Sequence, residues 1–130
     1  MSKKIKLLWL DDVRNPKDDM WNNYIAKYIG NPLEMDITWV KDYDGFILET
    51  LMGFKHDIVS FDHDLGDVFH PDTDAPMRSV EKTGYHACKY LVNYCIENNE
   101  PFPKYHVHSS NPVGKKNIES FIENFLNYNY

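Results

Sequence analysis

Asp62, His63 and Asp64 occupy consecutive positions in the segment FDHDLG, directly after the apolar run Ile58 to Phe61. Two carboxylates this close repel each other unless a metal ion, a proton or a cationic group lies between them. Two more polar clusters follow apolar runs. Asp11 and Asp12, with Arg14 close behind, form LDDVR, and residues 108 to 117 read HSSNPVGKKN. Four carboxylates gathered in one place suit a hard divalent cation with oxygen ligands, for which Mg²⁺ or Mn²⁺ is the natural choice. Zinc fits less well, because the histidines lack ligand spacing and neither cysteine is near. Either acid of the Asp11-Asp12 pair alone would read as a loop cap with a solvated neighbour. The metal reading rests on Asp62 and Asp64 lying beside them.

The 108 to 117 segment carries the opposite charge. Asn111 at a helix cap, Pro112 at the first helical position and Gly114 in the first turn offer backbone N–H groups, and Lys115 and Lys116 add positive charge. Such a helix start can cradle a phosphate. An ordinary well-capped helix explains Asn111 and Pro112 equally, but it leaves His108 and Ser109 unexplained. Thr83-Gly84 opens another helix, where glycine permits close approach of a ligand or backbone but is also a routine first-turn residue. His106 reads as a satisfied, partly buried histidine, and His56, His70 and His86 carry no specific signal.

These clusters need elements to position them. Ile5 to Leu10 is a near-continuous apolar run, as in a strand covered on both faces. Asn15-Pro16 then supplies a cap, and Met20, Trp21, Tyr24, Ile25, Tyr28 and Ile29 recur at helical spacing. Met35 to Val40 reads as a second strand. Residues 42 to 53 read as a helix with Tyr43, Phe46, Ile47 and Leu51 on one face. After the third strand, Ile58 to Phe61, a helix carries Tyr85, Cys88, Leu91, Val92, Cys95 and Ile96 on one stripe. Tyr105 to His108 makes a short fourth strand, and Ile118, Phe121, Ile122, Phe125 and Leu126 give the last helix a buried face.

Strict alternation of strand and helix predicts an α/β fold with right-handed crossovers, a parallel sheet of four strands and helices on both faces. The expected strand order is 2-1-3-4, a short flavodoxin-like winding. Ligands in such sheets bind at the carboxyl ends of the strands, and in this order the three polar clusters end neighbouring strands. The polar stretch 62 to 81 is longer than ordinary connections, which makes it a candidate lid or binding loop, with 67 to 80 the part that would close over the site.

The chain has 130 residues and 42% hydrophobic content, the size of one domain over 1–130. A net charge of −6 disfavours an extended nucleic-acid surface, but not one terminal phosphate in a pocket. Cys88 and Cys95 lie seven residues apart in a helix, about 10 Å, too far for a disulfide, and read as core thiols in a reducing compartment. The apolar run at the amino end is too short for a signal peptide or membrane span, so a cytoplasmic protein is expected.

LDDVR, FDHDLG, TG at 83 to 84 and HSSNPVGKKNIES at 108 to 120 together resemble the cyclic-phosphate processing receiver-like domains. These are compact relatives of the response-regulator receiver fold, proposed to act on cyclic phosphates such as 2′,3′-cyclic ends of RNA or cyclic nucleotides. The resemblance spans nearly the whole chain in order, and its last motif is the most specific. It implies a three-layer flavodoxin/receiver-like sandwich. Asp11 and Asp12 match the metal-binding acidic pair, Asp62 the phospho-accepting aspartate, and Ser109 the small hydroxyl residue after strand 4. A receiver's fifth strand and its lysine have no room before Tyr130. His63, Asp64, His108 and Asn111 exceed what a signalling receiver needs, which points away from phosphorelay.

The implied activity is a metal-dependent phosphoesterase that opens a cyclic phosphodiester. Asp11, Asp12 and Asp62 would hold the cation, and Asp64 would complete the shell or orient His63. His63 and His108 would serve as general acid and base. Arg14, Ser109, Asn111, Gly114 and Lys115 would hold the phosphate, beside the helix start at Thr83 and Gly84. In a covalent variant Asp62 attacks phosphorus. The expected partner is a phosphorylated small molecule or an RNA terminus. The alternative is a non-catalytic receiver-like module that regulates or binds a cyclic nucleotide.

Overall fold

A computed structural model describes residues 4–51, 53–63 and 83–129. Four strands, β1 (Ile5–Leu10), β2 (Met35–Val40), β3 (Ile58–Phe61) and β4 (Lys104–Val107), form a sheet in the order β2-β1-β3-β4. Every pairing is parallel. The order expected from the alternation of elements is therefore the order observed. Four α-helices connect or follow the strands: α1 (Asp19–Tyr28), α2 (Tyr43–Leu48), α3 (Gly84–Asn98) and α4 (Pro112–Asn129).

Alternation along each strand divides the core between two faces. Leu7, Trp9 and Met35 point to one side and meet Ile25, Trp21 and Tyr24 of α1. Leu8, Leu10, Val59, Phe61 and Val107 point to the other side and meet Phe46 of α2, Cys88 and Leu91 of α3, and Ile118 and Ile122 of α4. The layers are thus α1, the sheet, and α2 to α4. Leu7 to Leu10 are all fully buried, because β1 is central and covered on both faces.

Element ends depart from the sequence reading where local polar chemistry intervenes. Asn15 does not cap α1. Its Oδ1 accepts from the Lys17 amide in a turn, and the helix starts after Asp18. The second helix is capped by Asp42, whose carboxylate accepts from the Gly45 amide, but it ends at Leu48, not near Gly53. Leu51 consequently lies in a turn and is exposed, as are Met20, Tyr28 and Ile96 from the expected buried stripes. Strand β4 ends one residue before His108. Among the described residues no helix is long and apolar enough to cross a membrane.

Cys88 and Cys95 are buried free thiols on the core side of α3. Burial pushes the Cys88 thiol up to about 12; burial and nearby Glu100 raise Cys95 to about 11. A thiol-reactive dye at pH 8 should therefore leave the native chain unlabelled while labelling both cysteines fully in denaturant. Rapid native labelling would show that α3 is packed more loosely.

Candidate functional site

Leu10, Phe61 and Val107 lie opposite one another in the last paired row of β1, β3 and β4. The next residue of each strand is Asp11, Asp62 and His108. Their amides continue the ladder: Asp11 donates to the Val40 carbonyl, Asp62 to Leu10 and His108 to Phe61, each at 3.0 Å. The three side chains therefore start from one row at the carboxyl edge of the sheet, on the α1 side. All three residues are buried.

His108 folds down over β3 toward β1. Its ring stacks on Trp9 at 3.8 Å between centroids, with the planes 7° apart. Its Nδ1 is 2.6 Å from the Ser60 hydroxyl and its Nε2 is 3.0 Å from Asp11 Oδ2. A carboxylate only accepts, so Nε2 carries the proton and donates to Asp11, while Nδ1 accepts from Ser60. Burial holds the imidazole below the ordinary histidine range against the opposing pull of Asp11. For Asp11, burial alone would raise the carboxyl. Hydrogen bonds from His108 and from the Arg14 and Val13 amides outweigh it, and the group titrates below its usual value. The result is a neutral histidine clamped on an ionised aspartate. Its enclosure differs from the open acid–base histidine expected at this position.

Asp62 and His63 are gripped by two glycines. The Gly84 amide donates to the His63 carbonyl at 2.7 Å, and a Cβ on Gly84 would overlap the Asp62 carbonyl and lie 3.1 Å from His63 Cα. A Cβ on Gly114 would lie 2.6 and 2.7 Å from Cδ2 and Nδ1 of His63. The start of α3 thus touches the backbone of this segment, and the start of α4 touches its partly exposed imidazole. Thr83 serves as the cap of α3: its Oγ1 accepts from the Tyr85 amide, and its own amide donates to His86 Nδ1.

The start of α4 is more self-contained than a phosphate cradle. Asn111 Oδ1 accepts from the Gly114 amide, Ser109 Oγ accepts from the Asn111 amide, and the Lys115 amide bonds the Asn111 carbonyl. Pro112 has no N–H. The dipole of this end and the charge of Lys115, Lys116 and Arg14 still favour an anion there.

Asp11, Asp12 and Asp62 each place a carboxylate oxygen within 4.8 Å of the others. Hard oxygen donors at this spacing fit a divalent cation. The protein's own cation already leans on them: Arg14 Nη1 lies 3.6 Å from Asp11 Oδ2 and 3.7 Å from Asp62 Oδ1. Asp64 and the candidate lid at 67 to 80 lie outside the described residues. Sequence reading missed Ser60, Trp9 and Trp21. Ser60 was legible as the lone hydroxyl in the β3 run, whereas the tryptophans looked like ordinary core.

His106 has the role expected of a satisfied histidine. Its Nε2 is 2.7 Å from the Tyr24 hydroxyl, and burial, with His108 and Lys115, lowers it to about 4.

Over residues 6–124 the chain matches the family model of the cyclic-phosphate processing receiver domain. Searches of the curated proteins and of the solved structures give no match.

Gly84→Ala should destabilise the fold by about 3 kcal/mol in urea unfolding, since its methyl group collides with backbone. Gly114→Ala should cost less, because the His63 ring can swing aside. A neutral Gly84→Ala would refute the contact. Stability should also fall with acid. His56, His106 and His108 all have folded values below the ordinary 6.5, so each takes up a proton on unfolding below that pH. Their contribution is present above 6.5 and is lost as pH falls toward the folded values, about 4 for His106. The melting temperature should drop between pH 6.5 and 4.5, and His106→Gln should flatten that slope.

Proposed function

The chain belongs to the cyclic-phosphate processing receiver domain family, and on that footing we propose that it is a metal-dependent phosphoesterase that opens a cyclic phosphodiester. Its substrate would be the 2′,3′-cyclic phosphate end of an RNA or a cyclic nucleotide. The observation that carries the reading is the meeting of the three carboxylates with a histidine seated on a helix start, at one edge of the sheet. Mg²⁺ or Mn²⁺, when bound, would neutralise phosphate oxygens and make a water more acidic. Asp11, Asp12 and Asp62 would hold it.

The chain's own groups would divide the remaining work. Hydrolysis forms one bond from water oxygen to phosphorus and breaks one bond from phosphorus to a ring oxygen, which leaves with a proton. His63, the partly exposed imidazole next to Asp62, would move that proton. Both nitrogens of His108 are engaged inside, so His108 would orient Asp11 and leave proton transfer to His63. Arg14 and Lys115 would neutralise the phosphate beside Ser109, with the dipole of α4 behind them. Asp64 would complete the metal shell or orient His63.

A second reading, capture of a cyclic nucleotide without turnover, draws on the same enclosure of His108, which leaves one partly exposed imidazole where a symmetrical acid–base mechanism uses two. Turnover separates the two. The protein would be incubated with 2′,3′-cyclic and 3′,5′-cyclic nucleotides, cyclic dinucleotides and cyclic-ended RNA, with Mg²⁺, Mn²⁺ or chelator. The expected outcome is linear product only with metal, reduced about 10²- to 10⁴-fold in His63→Ala while ligand binding persists. Binding with no product from any substrate would favour capture, and product in chelator would remove the metal from the scheme.

A further inference from the structure

The Arg14 backbone is held at both its amide and its carbonyl. Its amide donates to Asp11 Oδ1 at 2.9 Å, and its carbonyl accepts from Trp9 Nε1 at 2.8 Å. The guanidinium meanwhile reaches across the acids, with Nη1 near Asp11 Oδ2 and Asp62 Oδ1, Nη2 3.2 Å from Ser110 Oγ, and Cζ 5.0 Å from the centre of the Trp21 ring.

The acceptor capacity of Asp11 makes this placement consequential. Two carboxylate oxygens offer about four acceptor positions. On Asp11, Oδ1 takes the amides of Val13 and Arg14 and Oδ2 takes His108 Nε2, while the Arg14 guanidinium stands 3.6 Å from Oδ2 as an ion pair beside the remaining position. Two of these partners are backbone, and a third is a ring fixed between Ser60 and Trp9. Only the guanidinium can leave without breaking the fold. A divalent cation bound to Asp11 and Asp62 would also sit within a few ångströms of Nη1 and repel it.

We propose that Arg14 is a built-in competitor for the cation: guanidinium and divalent metal are alternative occupants of the Asp11–Asp62 position, and metal entry releases Arg14 toward the Ser109-Ser110 loop, where it can meet an anion. This rests on the reading of the acidic cluster as a metal site. It adds an order to binding, with metal first and phosphate second. By linkage, whatever stabilises the acids in the metal-free protein weakens the metal by the same factor.

Mn²⁺ binding to the chain alone, followed by electron paramagnetic resonance, tests the competition. Arg14→Gln should bind Mn²⁺ about 10-fold or more tightly than the native protein, whereas Arg14→Lys, which keeps the charge, should stay closer to it. Circular dichroism verifies that each variant is folded. The native protein provides a second readout that does not depend on these variants. Saturating Mg²⁺ should change tryptophan emission as the guanidinium leaves Trp21, and Trp21→Phe should abolish the change. Unchanged or weaker Mn²⁺ binding in folded Arg14→Gln would overturn the competition, and Mn²⁺ binding with no Mg²⁺-dependent change at Trp21 would overturn the release. Binding only in Arg14→Gln would support the competition in its strongest form. No binding in any form would remove the metal site itself, and the inference with it.

Discussion

The site is organised around one buried charge. Asp11 ends the central strand with no solvent contact, and an ionised carboxylate in that position is tolerated only if the protein satisfies it. The solution draws in every neighbouring element. The chain turns sharply after β1 so that the Val13 and Arg14 amides reach Oδ1. The His108 imidazole reaches over β3 to Oδ2, and its other nitrogen is met by Ser60 of β3 itself. A hydrogen-bonded path from β1 through β4 to β3 thus pins the carboxyl edge of the sheet from within. The start of α4, four residues beyond His108, is placed by the same constraint.

The second constraint is proximity. Two helices must begin close enough to β3 to touch the Asp62-His63 segment, which demands glycine at the start of α3 and favours it at the start of α4. At Gly84 the neighbour is backbone; at Gly114 it is an imidazole. These contacts tie Gly84 and Gly114 physically to Asp62 and His63. From the sequence alone, Gly84 and Gly114 were indistinguishable from routine helix-start residues, because a close approach is a property of three segments at once.

The architecture was far more legible than its edges. Each strand is an apolar run bounded by polar residues, and strict alternation with helices permits few topologies, so the order β2-β1-β3-β4 followed from pattern. Helix ends depended on which polar group won a local contest. Asn15 closed a turn instead of capping α1, and α2 stopped after Leu48, which left Leu51 in solvent. At the site, the row Asp11, Asp62 and His108 was readable from strand ends, as was the satisfied state of His106. The direction of His108 was not. Alternation assigns a face, whereas the path of an imidazole across a neighbouring strand depends on what waits there, here Trp9, Ser60 and Asp11.

That direction separates two histidines the sequence presents as equals. A proton-transfer group must reach solvent or substrate, and His63 is a partly exposed ring resting on a glycine. His108 is buried against Trp9, with Ser60 and Asp11 on its two nitrogens, and has no such access. Burial opposes a positive charge on this ring, with Arg14 adding to that opposition, and holds its titration low against the pull of Asp11. What His108 can do is hold Asp11 ionised and fixed in orientation. Its partner in charge balance is then Arg14, which among the described residues is the arginine or lysine paired with Asp11. Fixed histidine and ion-paired arginine meet at the same carboxylate oxygen, so the rigidity of one leaves the other to make way for a cation.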